Sequence, residues 1–215
     1  MAEGLPFEPF YQDSHCTIYN ADCRKVLPWL ERCDLLLTDP PYGIGASKMT
    51  LGKGQSDKAK KERFEKREWD ADRPPGWVIS AARERAAASV IWGGNYFADV
   101  LPPSNDWLVW HKLNDGRSFS ECEFAWTSLG LQSRHFSWGW LHGGETKVHQ
   151  TQKPLALMQW CLGLVPDAET VLDPFMGSGT TLVAAKLEGR KAIGIEINEK
   201  YCESAAERLR QGVLF

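Results

Sequence analysis

The strongest constraint on the fold is a series of short apolar runs that alternate with helix-like segments. Each run ends at polar, proline or glycine residues, as 34–38 does before Asp39-Pro40-Pro41. Unbroken apolar runs of this kind are typical of strands buried on both faces of a parallel sheet. The alternation predicts an α/β fold with one open, doubly wound sheet. We expect strands at 16–20, 34–38, 89–92, 107–110, 123–128, 170–173 and 191–196, and helices at 23–32, 77–88, 155–164, 179–188 and 199–210.

Composition narrows the class of protein further. The chain has 215 residues, 43% of them apolar, which suits a single domain over 1–215 with a sizeable core. The formal net charge of −3 excludes a uniformly basic surface, although not a local basic patch. No apolar run reaches the ~18 residues of a membrane span, and the absence of Lys and Arg before Arg24 argues against a signal peptide. Six cysteines without a C-x-x-C pair and five histidines without metal-ligand spacing favour a reduced, cytoplasmic, metal-free protein.

The first chemical motif is Asp39-Pro40-Pro41-Tyr42, which directly follows a predicted strand. Two prolines fix the backbone and remove two N–H donors, so nearby carbonyl oxygens are held rigidly as acceptors. The Asp39 carboxylate and the Pro40 carbonyl could grip a planar amine while its ring stacks on Tyr42. The alternative is a plain strand-ending turn in which the prolines stop the strand and Asp39 caps it.

The second motif, 173–181, stands between a predicted strand and a predicted helix. Its Gly177 and Gly179 allow the backbone to approach a ligand closely, but neither a Walker loop nor a full dinucleotide fingerprint is present. Glu196 follows Asp173 by 23 residues, close to the spacing of the acid that binds a ribose in nucleotide-binding folds. The pattern predicts an adenosine-bearing cofactor without a pyrophosphate. One alternative is a plain tight turn without a ligand. The other is a nicotinamide-dependent dehydrogenase, which would leave the motif from Asp39 to Tyr42 unexplained.

A third feature is concentrated basic charge. Residues 48–67 carry eight basic and three acidic side chains without core-like periodicity. The segment is either a solvated charged loop and helix or a mobile arm, within an insert over 43–75, that contacts phosphates. On the second interpretation we expect nucleic acid to contact Lys48, Lys53, Lys58, Lys60, Lys61, Arg63, Arg134 and Lys147.

Taken together, the two motifs resemble those of the DNA amino-methyltransferases, which use S-adenosyl-L-methionine. The D-P-P-Y motif precedes the cofactor motif by 134 residues, an order that resembles the circularly permuted β group of that family. Segments 18–23, 92–97 and 149–154 are similar to further family elements, so the resemblance covers roughly 16–210.

The resemblance implies a Rossmann-like sheet of seven strands, with 123–128 antiparallel and Asp39 and Asp173 on neighbouring strands. It implies that Asp173 binds the methionine amino group, that Glu196 holds the ribose hydroxyls, and that 149–154 helps to hold the methionine end. The implied catalytic residues are Asp39, Pro40, Pro41 and Tyr42, and the implied cofactor-binding residues are Asp22, Cys23, Thr151, Lys153, Asp173, Pro174, Phe175, Gly177, Gly179, Thr180, Glu196 and Ile197.

The implied activity is methylation of adenine N6 in double-stranded DNA by base flipping, in a restriction–modification setting. Methylation of cytosine N4 or of RNA, and a catalytically silent nucleic-acid-binding module, are alternatives, although Asp39 argues against cytosine. Because only 130–150 stands where larger relatives carry a target-recognition insert, we expect that short loop and the basic arm to form the DNA surface. For Trp138 and Trp140 within it, ordinary core packing is the favoured alternative, because residues spaced by two share one face of a strand. The family resemblance also suggests a homodimer.

Overall fold

A single nine-stranded sheet runs through the residues that the computed structural model describes, which are 6–44, 73–114, 120–139 and 152–211. Across the sheet the strands lie in the order β1-β2-β9-β8-β3-β4-β6-β5-β7. Their bounds are β1 Tyr11–Gln12, β2 Cys16–Asn20, β3 Cys33–Thr38, β4 Ala86–Trp92, β5 Trp107–His111, β6 Cys122–Thr127, β7 Arg134–Ser137, β8 Thr170–Asp173 and β9 Lys191–Glu196.

All seven expected strands are present, but the expected count is too low. The additional strands are β1, which has only two residues, and β7, which pairs with β5 at the sheet edge. Part of the predicted loop 130–150 is therefore a strand. Its side chains are mostly exposed, so it carries no pattern of buried residues from which a strand could be predicted. As expected, β6 is antiparallel, to both β4 and β5, and β1 is antiparallel to β2.

Five α-helices cover the faces of the sheet among the described residues: α1 Cys23–Val26, α2 Gly76–Glu84, α3 Leu155–Gly163, α4 Thr180–Leu187 and α5 Glu199–Gln211. The first is much shorter than the expected 23–32, because Pro28 belongs to a 3₁₀ turn over Leu27–Trp29. The second ends before Ala86, since Ala86–Trp92 is paired with β3 instead. None of the helices in the described ranges is long and apolar enough to cross a membrane.

The central strand β3 is buried on both faces. Leu35 and Leu37 belong to the cluster beneath α3, α4 and α5, whereas Leu36 belongs to the opposite cluster with Ile79 of α2. All three leucines are fully buried. This explains why β3 is a continuous apolar run and confirms its assignment as a central strand.

The connections leave β3 and β8 in opposite directions across the sheet. β3 leads to its neighbour β4 on one side, and β8 leads to its neighbour β9 on the other. Ligands bind at such switch points, outside the carboxyl ends of the strands. The pairing of β3 with β8 is parallel, and the Thr38 hydroxyl donates to Asp173 Oδ1 at 2.7 Å. The expected meeting of Asp39 with Asp173 on neighbouring strands is thus confirmed.

The other end of the same strand pair is fixed by Asp34. Its Oδ2 accepts hydrogen bonds from the backbone nitrogens of Glu169 and Thr170 at 3.0 and 2.9 Å. It also accepts one from the Thr170 hydroxyl at 2.7 Å. One carboxylate oxygen therefore aligns the beginning of β8 with the beginning of β3.

We expect Asp34→Ala to lower the free energy of unfolding by about 1–3 kcal/mol, because two backbone donors lose their acceptor. The Thr170 hydrogen bonds lower the pKa of Asp34. This stabilisation is therefore present above the unfolded-state pKa and fades as the pH falls through the lower folded-state value. Urea titration at pH 7 and pH 3 measures both effects. Asp167→Ala, at an exposed position shortly before β8 in the chain, is the control, and equal losses in both variants would contradict the assignment.

Candidate active site

The residues Asp39 to Tyr42 close on themselves at the end of β3. The Tyr42 hydroxyl donates a short hydrogen bond to Asp39 Oδ1, so the first and last side chains of the motif touch. Asp39 Oδ2 lies 2.6 Å from the Nζ atom of Lys153. Both carboxylate oxygens are therefore fixed in position, although each retains a further lone pair for another donor.

The ring of Tyr42 contacts two residues of the segment that follows β4. On one side it stacks with Tyr96, with ring centroids 4.8 Å apart and planes inclined by 18°. It also lies so close to Gly93 that a Cβ on that residue would be 1.9 Å from the ring. Gly93 has φ +66°, a left-handed conformation that also favours glycine. Glycine at this position thus lets the aromatic ring reach the end of the sheet.

A chain of alternating charges extends from Asp39 along the same edge. Lys153 Nζ lies 3.0 Å from Glu123 Oε2 at the start of β6. Glu123 Oε1 in turn lies 2.6 Å from the Nζ atom of Lys112, just after β5. Two ammonium groups and two carboxylates therefore alternate from Lys112 to Asp39, which keeps the buried charges paired.

The pKa values of these groups follow from burial and neighbouring charge. Burial acts to raise the pKa of Glu123, but the Lys153 and Lys112 ammonium groups outweigh it and lower that pKa to about 2. Burial raises the pKa of Asp39, and the Lys153 ammonium opposes the rise. Burial alone would lower the pKa of Lys153, whereas its two carboxylate neighbours raise it, so the group stays an ammonium.

Asp173 lies beside this cluster at the end of β8 and is almost fully buried. Its Oδ1 accepts from the Thr38 hydroxyl at 2.7 Å and from the Phe175 backbone nitrogen at 3.2 Å. Burial nevertheless raises the pKa of Asp173 to about 6. No lysine, arginine or histidine of the described chain forms an ion pair with it. A cationic group on a ligand would relieve the cost of this buried charge.

Glu196 ties the turn after β8 to the end of β9. Its Oε2 accepts from the Gly177 backbone nitrogen at 3.1 Å, and its Oε1 accepts from the Asn198 nitrogen at 2.8 Å. A Cβ on Gly177 would meet nothing within 4 Å, so the turn faces open space there. Ile197 follows immediately and is 71% exposed, which gives this acidic corner an apolar neighbour.

The segment before α3 joins the two motifs. Gln152 Oε1 accepts from the Ser178 hydroxyl at 3.4 Å in the glycine-containing turn. The next residue, Lys153, pairs with Asp39 in the other motif. The structure thus places Lys153 against the D-P-P-Y motif, and its role in binding a cofactor stays a prediction.

Most of the predicted site residues in the described ranges lie at the carboxyl edge of β2, β3, β8 and β9. Asp22 caps α1 by accepting from the Arg24 backbone nitrogen at 2.9 Å. Cys23 and Thr180 are buried, and the Thr180 hydroxyl accepts from Arg208 at 3.2 Å. The residues at this edge are Asp22, Cys23, Asp39, Pro40, Pro41, Tyr42, Lys153, Asp173, Pro174, Phe175, Gly177, Gly179, Thr180, Glu196 and Ile197.

Most of the residues predicted to contact DNA lie outside the described part of the chain. Thr151 and the basic residues Lys48, Lys53, Lys58, Lys60, Lys61, Arg63 and Lys147 lie outside the described residues. Arg134 is exposed at the beginning of β7, paired with Leu108 and so at the far end of that strand from Asp39. Trp138 packs against the core and its carbonyl accepts from Trp110 Nε1 at 2.8 Å, as the core-packing alternative predicts.

The ends of the basic insert are close together. A Cβ on Gly43 would lie 2.8 Å from the Arg73 backbone nitrogen. The Arg73 guanidinium also donates to the carbonyl of Tyr96 at 2.5 Å and to Asp99 at 2.7 Å. Because Tyr96 stacks on Tyr42, the insert leaves and rejoins the domain beside the D-P-P-Y motif.

Sequence reasoning missed Glu123, Lys112 and the stacking role of Tyr96. Two signals were available in the sequence. Glu123 is a charged residue at the start of the apolar run 123–128, and Lys112 closely follows the run 107–110. Within the described ranges, no cluster of three or more metal-ligating side chains occurs.

Comparisons of sequence and of structure both find similarity to DNA methyltransferases. The sequence model of the family described as DNA methylase (N6 and N4) matches residues 105–207. The Type II methyltransferase M2.LlaDCHI of Lactococcus lactis subsp. cremoris is 26% identical over 98% of this chain and 95% of its own length. The crystal structure of an M1.HpyAVI–SAM complex is 25% identical, with TM-score 0.60 over 90% of this chain and 98% of that one. The PvuII cytosine-N4-specific DNA methyltransferase shares the fold, with TM-score 0.64, 17% identity and coverage of 95% and 89%.

The raised pKa of Asp173 predicts that its charge lowers the free energy of unfolding at neutral pH. The folded-state pKa of about 6 exceeds the unfolded value of ~3.9, so the cost of the buried charge is absent below about pH 4 and complete above about pH 6. We expect Asp173→Asn to stabilise the ligand-free protein by on the order of 2 kcal/mol at pH 7.5 and not at pH 4. Urea unfolding at the two pH values measures the difference. A variant that is less stable than wild type at pH 7.5, while Asp167→Asn is neutral, would contradict it.

Proposed function

We propose that this chain is a β-group DNA amino-methyltransferase that methylates N6 of adenine in double-stranded DNA, as its similarity to DNA methyltransferases supports. Its cofactor is S-adenosyl-L-methionine. The observation that carries the proposal is the meeting of two functional carboxylates on adjacent strands. Asp39 and Asp173 follow neighbouring strand ends, and Thr38 bonds directly to Asp173 at 2.7 Å. An amine held by the first is thus brought to a methyl donor held by the second.

The edge of β8 and β9 suits the cofactor. Asp173 is a buried carboxylate without an ion-pair partner among the described residues, and it would receive the α-ammonium of the methionine moiety. Glu196 retains acceptor capacity for the ribose hydroxyls, while the open space at Gly177 and the exposed side chain of Ile197 leave room for the nucleoside. The bound cofactor supplies a methyl group on a sulfonium, which is already an activated leaving group.

Asp39 and Pro40 act on the amine. The lone pair of the adenine amino group is delocalised into the ring, which makes the nitrogen a poor nucleophile. Two acceptors aimed at its two protons favour a pyramidal nitrogen, and this stabilises the transition state more than the planar ground state. As the new N–C bond forms, the nitrogen becomes an acidic ammonium, and Asp39 is placed to accept the proton that it sheds.

The base has to leave the duplex to reach this edge, because a paired and stacked amine cannot approach Asp39. The Tyr42 ring and its stacked neighbour Tyr96, which is 39% exposed, provide the aromatic surface on which we propose that the flipped base stacks. Stacking on such a surface is worth about 1–3 kcal/mol per base.

Cytosine N4 is the second candidate. The same two acceptors would serve its amino group, and the PvuII enzyme that shares the fold is cytosine-N4-specific. The D-P-P-Y form favours adenine, since the cytosine relatives more often carry Ser in place of Asp39. The hydrogen-bonded pair of Asp39 and Tyr42 is intact, which argues against a silent binding module.

The DNA surface and the assembly belong to the same proposal. The basic insert over 43–75 enters and leaves beside Tyr96 through Gly43 and Arg73, which supports a phosphate-contacting role. We further propose a homodimer, a cytoplasmic location, and a restriction–modification role in keeping with the Type II names of the relatives.

The activity test uses Asp39→Asn, which keeps the shape of the side chain and removes its charge. We expect wild type to transfer labelled methyl from S-adenosyl-L-methionine to unmethylated duplex DNA, with methyladenine as the product nucleoside. The variant should lose about 100-fold or more in kcat while its cofactor affinity changes little. Methylcytosine would transfer the proposal to the second candidate. Absence of any product from wild type, despite cofactor binding, would overturn it.

The salt dependence of DNA binding tests the insert. Replacing Lys60 and Lys61 by Gln should weaken binding and reduce the slope of log K against log salt by up to about 2, since each lost phosphate contact removes ~0.9. Replacing Lys191 and Arg210, which lie at the opposite edge of the sheet, removes equal charge and should leave the slope unchanged. Equal slopes in both double variants would assign 48–67 to the solvated-loop alternative.

A further inference from the structure

Four charges at the carboxyl edge of the sheet form one chain, of which the proposed reaction uses only the last. Lys112 Nζ lies 2.6 Å from Glu123, Glu123 lies 3.0 Å from Lys153, and Lys153 lies 2.6 Å from Asp39. The four residues come from β5, β6, the segment before α3 and the end of β3. Nothing in the proposed methyl transfer by itself requires Glu123 or Lys112.

The ion pair between Lys153 and Asp39 competes with binding of the target amine to Asp39. Asp39 must present its oxygens to a target amine, yet in this structure it holds an ammonium. That ammonium is only 5% exposed, so it cannot turn into water when Asp39 takes a new donor. A buried cation left without a carboxylate would be costly. The rings of Tyr42 and Trp92, 5.7 and 6.0 Å from Nζ, add only a weaker attraction.

Glu123 is placed to keep the ammonium. Its Oε1 is held by Lys112, which fixes the carboxylate in its ionised form. Its Oε2 is buried and accepts no well-directed hydrogen bond from the described residues, although Lys153 Nζ is only 3.0 Å away. This oxygen can take a full hydrogen bond from Lys153 after a small movement of the ammonium away from Asp39.

We propose that Glu123, held by Lys112, is a positioning residue that retains Lys153 while Asp39 exchanges the ammonium for the target amine. The inference rests on the proposed function and deepens it. In the free protein Lys153 is shared and keeps Asp39 charged and oriented. With substrate bound, Lys153 stays on Glu123, the count of buried charges is unchanged, and Asp39 acts as an acceptor of undiminished strength.

The proposal makes opposite predictions for two variants. In Glu123→Gln, Lys153 has one carboxylate left and a nearby negative charge is gone, so the apparent pKa of Asp39 should fall. In Lys112→Gln, Glu123 is freed to draw Lys153 away from Asp39, so the same pKa should rise. If the Lys112–Glu123 pair were not electrostatically coupled to Asp39, neither substitution would move this pKa.

The first readout does not need activity. The carboxyl carbon of Asp39 is titrated by NMR in protein labelled with ¹³C-aspartate, with Asp39→Asn for assignment. Glu207→Gln on α5 makes the same chemical change at an exposed site, where Glu207 accepts a hydrogen bond from Gln211, and it should leave the titration unchanged. Lys112→Gln changes the other member of the ion pair, so it keeps the test available if Glu123→Gln does not fold.

The second readout is methyl transfer. We expect Glu123→Gln to lower kcat about tenfold or more, to shift the acidic limb of its pH profile downward, and to leave cofactor affinity unchanged. Glu123→Asp should recover part of the rate by restoring the charge. If wild type transfers methyl but Asp39 titrates identically in both variants, or shifts in the same direction in both, the proposed function stands and this inference is overturned. If Asp39 shifts oppositely but wild type transfers no methyl, the charge arrangement stands and the proposed function fails.

Discussion

The carboxyl edge of this sheet depends on one buried cation shared by two carboxylates. Lys153 joins the end of β3 to the beginning of β6 through Asp39 and Glu123, and its own segment reaches the glycine turn through Gln152. None of these elements is adjacent in sequence. Because a buried charge must be paired, each of the three positions is determined by the other two. The same contact that orders the site therefore also ties the two halves of the sheet together on their carboxyl side.

The site holds its acids in different electrostatic states through their surroundings. Glu123 lies between two ammonium groups and its pKa is lowered to about 2, whereas Asp173 is buried with hydroxyl and amide donors only and its pKa is raised to about 6. A carboxylate with a full set of cations is a permanent part of the framework. One that lacks a cation is a place for a ligand charge. In the proposed function, this contrast separates positioning groups from binding groups along a single edge of the sheet.

Much of this could be predicted from the sequence. The seven principal strands were visible because burial on both faces makes apolar runs such as 34–38, and the rule that parallel strands end at one edge brought Asp39 near Asp173. The failures have physical causes. Ala86 to Ala88 favour helix locally but pair with β3, β7 has too few buried side chains to show a pattern, and Glu123 meets Lys153 only through the antiparallel register of β6. The start of β4, the existence of β7 and the contact of Glu123 with Lys153 all depend on pairing between distant segments. A local sequence pattern does not show such pairing.

The contact between Gly43 and Arg73 has an evolutionary consequence. Both ends of the intervening segment are fixed to the domain at one point, with Arg73 anchored on Asp99 and the Tyr96 carbonyl. The entropy cost of closing a loop grows only with the logarithm of its length, by about 0.6 kcal/mol per doubling. The number of residues between these anchors can therefore change widely without disturbing the sheet. Such a segment can be lengthened, shortened or exchanged between relatives, so the surface beside the catalytic motif can diversify while the methyl-transfer chemistry is inherited intact.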